Sequence, residues 1–177
     1  TNVVMESMII DGQRDLRIGL NAINECHKGN NSAGILITSE VDNFIVRGMT
    51  VKNAVCGSSF IWQESSTLGP VRKNGIFEGN IFYQNGQHDD LLGWSDGLTT
   101  ADVQDLQVIN NLFQDNTDIQ IIFGGCRNCR ITHNKFVHSG NIKYASFGEI
   151  LIQNWPGGTS GNYTGTVVEN NSIDCMY

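Results

Sequence analysis

Residues 96–116 read DGLTTADVQDLQVINNLFQDN, and after Thr117 residues 118–140 read DIQIIFGGCRNCRITHNKFVHSG. Laid one above the other, the two stretches share a register. Val103, Leu106, Val108, Asn111 and Phe113 fall over Cys126, Cys129, Ile131, Asn134 and Phe136, 23 residues later. The pattern is h-x-x-h-x-h-x-x-N-x-h, where h is apolar or small. A period of this length decides the fold before any local propensity is weighed.

The core of the pattern recurs outward in both directions. Leu16, Ile18, Asn21 and Ile23 give a first copy, followed by Phe44, Val46, Met49 and Val51. Gly75, Phe77, Asn80 and Phe82 come next, and Thr166, Val168, Asn171 and Ile173 close the series. On this alignment the steps between copies are 28, 31, 31, 23 and 37 residues. The h-x-h triplets have the period of a strand, with alternate side chains turned inward. The N-x-h that follows implies a bend, because Asn accepts left-handed backbone angles. Stacked copies would place the Asn side chains about 4.8 Å apart. Each amide could then bond the next, forming a ladder that Met49 interrupts.

On these residues the chain resembles the right-handed parallel β-helix superfamily, which includes pectate lyases, polygalacturonases, alginate-acting enzymes and phage tailspikes. The expectation is an all-β, single-stranded right-handed solenoid of six to seven coils, forming one domain over residues 1–177. A coil of this fold needs a little over 20 residues, so the longer steps read as a coil plus an insertion. Twenty Gly and two Pro fit many tight corners and few strand-breaking rings. Strands are expected at residues 7–10, 34–38, 59–62 and 149–152, with loops at 28–33, 63–70, 85–95, 140–147 and 154–162.

A net charge of −7 argues against nucleic acid as a partner. No apolar run approaches the roughly 20 residues of a membrane span, and no signal peptide is visible. The chain opens at Thr1 without Met, so a processed, trimmed or excerpted chain is expected. Its expected location, as a separate reading, is outside the cell (secreted) or at the cell surface. Open strand edges at the ends would allow oligomerisation through the ends or sides of the solenoid. Of five Cys, at least one must be a free thiol. Cys126 and Cys129 occupy the inward positions of Val103 and Leu106, so they read as core residues rather than as a metal or redox pair. Asn-x-Ser/Thr sequons stand at Asn30, Asn162 and Asn170.

Three acids open what reads as the same strand in successive coils: Asp96, Asp118 and Glu149. In register, neighbours would stand about 4.8 Å apart and the outer pair about 9.6 Å. Those spacings bracket the carboxyl separations of retaining and inverting glycosidases, about 5 and about 6.5–9.5 Å. Crowded acids raise one another's pKa, giving a proton donor beside a base, or share a Ca²⁺, for which Asp96 and Asp118 are the candidates. The alternative is that these acids only mark turns. His88, Asp89 and Asp90 lie in the insertion just ahead and suit proton transfer. Trp94, Trp155 and Trp62 are candidate platforms for sugar rings, and Trp62 is as suited to core packing.

Asn116-Thr117-Asp118 resembles the N-T-D motif of polygalacturonases, which would make Asp118 an acid of the catalytic group. Ile119 stands where that family has Gly, no G-H-G occurs, and Asn141-Ile142-Lys143 only echoes its R-I-K. Resemblance to calcium-dependent pectate lyases would ask for clustered acids and an Arg base, and Arg127 and Arg130 are available. The expected function is cleavage of an extended, including uronate-containing, polysaccharide by elimination or hydrolysis. The alternative is a glycan-binding module of the tailspike or adhesin kind.

Overall fold

The computed structural model describes residues 2–17, 34–38, 41–63, 72–89, 92–154 and 160–175. These residues are mostly strand, arranged in three parallel sheets. The first sheet holds, in spatial order, Val3–Glu6, Phe44–Arg47, Gly75–Glu78, Gln107–Ile109, Arg130–Thr132 and Val167–Glu169. The second holds Ile9–Asp11, Thr50–Lys52, Ile81–Tyr83, Leu112–Gln114, Lys135–His138 and Ser172–Cys175. The third is ordered Ile35–Thr38, Gly57–Gln63, Leu92–Gln104, Ile119–Arg127 and Gly148–Ile152. The chain visits the sheets in fixed rotation and returns to the first one strand further along. Each sequence repeat supplies a short strand of the first sheet and one of the second, and the spacer supplies the third.

The period-2 triplets do what their spacing asks. Met5, Val46, Phe77, Val108, Ile131 and Val168 are register partners down the first sheet. Ile10, Val51, Phe82, Phe113, Phe136 and Ile173 do the same down the second. The Phe82, Phe113 and Phe136 rings stack at 4.8 and 5.1 Å, close to the spacing between strands. The interior of both columns is fully buried, while Val168 and Ile173 in the last turn are 41% and 56% exposed.

The asparagine ladder forms as the repeat implies. Asn80 Nδ2 donates to Asn111 Oδ1 (2.9 Å), Asn111 to Asn134 (3.0 Å) and Asn134 to Asn171 (3.0 Å). Met49 ends it, yet its backbone N–H still donates to Asn80 Oδ1. The bend, however, is not made by the ladder residue. Left-handed φ belongs to the residue before it: Gly48 (58°), Gly79 (62°), Asn110 (57°), His133 (58°) and Asn170 (54°). The ladder Asn is there for its amide.

The first repeat is also displaced. Val3, Met5 and Ile10, not Leu16–Ile23, pair with Phe44, Val46 and Val51. Met8 therefore precedes Met49 in the ladder column. Leu16 lies in a short helix, Arg14–Arg17, and is exposed, while Ile18, Asn21, Ile23, Cys26 and the 28–33 loop fall outside the described residues. Cys126 and Cys129 are buried at inward positions, but they are joined in a disulfide with Cα atoms 5.8 Å apart, a pairing the core reading did not foresee. Cys56 is disulfide-bonded too, and Cys175 is a free thiol.

Trp62 is a core residue, which removes it from the stacking platforms. It is fully buried, with its ring 4.6 Å from Phe44. Gly75 makes room for it, since a Cβ there would stand 2.7 Å from the indole. Among the described residues no helix is long and apolar enough to cross a membrane.

Candidate functional site

In the 85–95 insertion the described residues form an antiparallel hairpin pair against the third sheet rather than a loop. Gly86–Asp89 pairs antiparallel with the start of the Leu92–Gln104 strand, Gly86 opposite Trp94 and Asp89 opposite Leu92. A buried arginine fixes its base. Arg14, 1% exposed, donates from Nη1 to the carbonyls of Gln84 and Gly86 (both 2.5 Å) and from Nη2 to the Tyr144 hydroxyl (3.2 Å). Its guanidinium also lies over the Tyr144 ring, 4.9 Å from the centroid. The hairpin is thereby tied to the 3-10 turn Ile142–Tyr144 two coils further on. His88 Nε2 lies 2.5 Å from the Ala145 carbonyl oxygen, closing the same junction.

Hairpin and turn together present an aromatic surface. The Trp94 ring is 5.5 Å from His88 and 4.8 Å from Phe147, in edge-on or tilted geometry. Half of Trp94 and 63% of Phe147 remain exposed. Aromatic groups held this way offer a flat apolar face with polar neighbours.

Two of the three acids come together beside this surface. Ser58 Oγ (2.9 Å) and Thr99 Oγ1 (2.8 Å) donate to Asp96 Oδ2, and the Ile119 N–H donates to Oδ1 (3.2 Å). Burial, reinforced by the nearby Asp118 carboxylate, pushes the Asp96 carboxyl up to about 6. Burial also raises Asp118, and the facing His88 opposes that rise. The arrangement holds one nearly enclosed carboxyl that keeps its proton into mildly acidic solution, beside a more accessible acid and an imidazole.

The third acid does not belong to this group. Leu98 pairs with Ile121, and Ile119 with Gly148, so Asp96 shares its row with Ile119 and Asp118 shares Ser95's. Glu149 falls in a third row, opposite Gln120, and bonds elsewhere: its Oε1 is 2.7 Å from His138 Nε2. Three successive rows hold the three acids, so the expected in-register carboxylate stack is absent. A strand row reverses or shifts its facing with every residue, which sequence order does not display.

The remaining candidates separate as well. Arg127 donates to Gln104 Oε1 (2.5 Å) and Arg130 pairs with Glu169 (2.7 Å). Arg127 closes the strand that Asp118 precedes, nine residues on, a reach of up to about 30 Å at about 3.3 Å per residue. Neither arginine is placed to act as a base beside Asp96. The Asp89 side chain, Asp90 and Trp155 lie outside the described residues. A Ca²⁺ on Asp96 fits poorly, because its oxygens already accept from three protein donors. Among the described residues the cluster of three metal-ligating types is His138, Glu149 and Cys175 instead.

Sequence reasoning passed over Arg14, Ser58, Thr99 and Phe147. Ser58 and Thr99 sit in apolar-rich strands with no motif around them, and Arg14 is 70 residues from the carbonyl it holds. A buried cation at a hairpin base leaves no local pattern. Comparison with known protein families, curated proteins and solved structures returns no match.

Proposed function

We propose that the chain is a right-handed parallel β-helix that cleaves an extended polysaccharide by hydrolysis at the Asp96–Asp118 pair. The handedness follows from the rule that connections between parallel strands of one sheet are right-handed in about 98% of cases. The observation carrying the chemistry is the raised Asp96 carboxyl beside a second, more exposed acid. Glycoside hydrolysis asks for that inequality, a proton donor facing a base or nucleophile. In this reading Asp96 protonates the leaving oxygen, Asp118 activates water or attacks, and His88 balances charge at Asp118. Trp94 and Phe147 stack a sugar ring ahead of the pair. Elimination is the weaker chemistry, because Arg127 is engaged with Gln104 at the far end of that strand and Arg130 with Glu169 on the first sheet. Residence outside the cell is supported by the Cys126–Cys129 and Cys56 disulfides, which persist in oxidising compartments.

One observation favours a second reading, a glycan-binding module. Asp96 is 7% exposed and its oxygens are taken by protein donors, as befits a structural acid. The same aromatic surface would then grip glycan without cutting it. A panel of pectate, alginate and neutral glycans, with and without added calcium, separates these outcomes. New reducing ends that fall by about 10²–10⁴ in Asp118→Asn support hydrolysis. Calcium-dependent unsaturated uronates would mean elimination. Retention on one glycan, undiminished in Asp96→Asn and with no cleavage, would establish the binder.

A further inference from the structure

Where the second and third sheets end, a cluster lies that the carbohydrate reading leaves unused. His138 closes the strand Lys135–His138, Cys175 closes Ser172–Cys175, and the two are direct register partners. Glu149, from Gly148–Ile152 of the other sheet, faces them. One ligand-capable atom from each lies within 4.8 Å of the others. His138 Nε2 is 2.7 Å from Glu149 Oε1 and 2.9 Å from Ser146 Oγ. Cys175 Sγ is 3.8 Å from the same Glu149 oxygen.

A hydroxyl, an imidazole and an acid also suggest a nucleophile relay, and the geometry rejects it. A relay puts hydroxyl and acid on opposite ring nitrogens. Here Ser146 and Glu149 both address Nε2. Convergence of nitrogen, oxygen and sulfur on one point is what a metal ion needs. A second observation points the same way: Glu149 Oε2 is buried and has no hydrogen-bond partner among the described residues. The His138 and Glu149 side chains are only 10% and 12% exposed. A buried carboxylate oxygen without a partner calls for a compensating cation.

We propose that His138, Glu149 and Cys175 form a binding site for a divalent transition metal of the zinc class, with Ser146 Oγ or a water at the fourth position. Zinc takes nitrogen and oxygen at about 2.0–2.2 Å and thiolate sulfur at about 2.3 Å, so its tetrahedral ligands stand roughly 3.3–3.6 Å apart. The Sγ–Oε1 separation nearly meets that already, and Nε2 and Oε1 need only open by about 0.6 Å. Cys175 is a free thiol at the end of its strand, 3.8 Å from Glu149 Oε1. Metal binding forms the metal–sulfur bond and releases the thiol proton to solvent. The mixed sulfur, nitrogen and oxygen set selects zinc or cobalt over calcium or magnesium, which want oxygen alone.

Cobalt(II) titrated into the chelator-treated, dialysed full chain tests this. One equivalent should bind, with tetrahedral visible bands and a thiolate-to-cobalt charge-transfer band, and zinc should displace it. Cys175→Ser should abolish the charge-transfer band while leaving the far-ultraviolet dichroism intact. Glu149→Gln should weaken cobalt at least about tenfold, the low end of what losing even an outer partner of a metal site costs. Asp96→Asn should bind as the parent does, which separates this site from the proposed carbohydrate site. Absence of saturable cobalt binding, or a charge-transfer band that survives in Cys175→Ser, would overturn the assignment.

Discussion

At the scale of single residues, Asp96 shows which physical effect sets a carboxyl's character. The sequence suggested that crowding by other acids would raise its pKa, but burial is the larger cause and Asp118 the smaller. The consequence for stability has a definite sign. In the fold the carboxyl titrates at about 6, against 3.8 when exposed, so between those values the folded chain binds the extra proton. Asp96 therefore favours folding fully below about pH 4, and that contribution is lost as pH rises through about 6. A shift of about two pKa units corresponds to roughly 3 kcal/mol at most. Asp96→Asn keeps the shape, and its amide can turn toward the Ser58 and Thr99 hydroxyls while Oδ1 still accepts from Ile119. Urea unfolding should find the variant close to the parent at pH 3.5 and more stable by about 2 kcal/mol at pH 8. A parent whose stability instead climbed between pH 4 and 7 relative to the variant would refute this account of Asp96.

At the scale of elements, the corners rather than the strands carry the polar cost of the fold. Strands of three or four residues leave much backbone at the bends, and buried backbone groups there must be paired. Asn111 alone donates to the Phe77 and Ile109 carbonyls and to Asn134, while its Oδ1 accepts from Asn80 N and Nδ2. A second, shorter ladder serves the next corner: Asn85 to Asn116 (2.6 Å), then Asn116 to Gln120 (2.5 Å). It was not legible, because Asn85 begins the hairpin insertion and Asn116 was claimed by a motif resemblance. Asn111→Ala would strand several buried groups at once and should cost about 3 kcal/mol or more. Asn171→Ala, at the half-buried end of the ladder, should cost clearly less. Chemical denaturation of the two variants checks the order, and equal losses would mean that the ladder is incidental to stability.

At the scale of the molecule, what the sequence disclosed was what repeats. The columns through Val46–Phe77–Val108–Ile131 and Phe82–Phe113–Phe136 were legible because each coil spends the same residue types on the same inward positions. The first copy was misplaced because Met8 and Met49 lack the Asn signal and a long excursion separates them. The acids were misassigned because pairing rows, not chain order, decide which side chains meet. Non-repeating contacts such as Arg14 with Tyr144 were invisible for the same reason. The stacked architecture then makes a prediction about how the molecule opens. Each coil contacts chiefly its neighbours, so stability is a sum of coil and interface terms rather than one indivisible core. The interior coils bury their columns completely, whereas the last presents Val167, Val168 and Ile173 at 37%, 41% and 56% exposure. Exchange protection follows the free energy of local opening, which is lowest where a strand has a partner on one side only. Amides of Val167–Glu169 and Ser172–Cys175 should exchange first under native conditions, and those of Gln107–Ile109 and Leu112–Gln114 last, by about two orders of magnitude or more for roughly 3 kcal/mol of interface. Added zinc should slow Ser172–Cys175 selectively if Cys175 is a ligand, because a metal that binds the closed coil opposes its opening. Uniform protection from end to end would mean that the coils unfold together and that the neighbour-by-neighbour account of this chain is wrong.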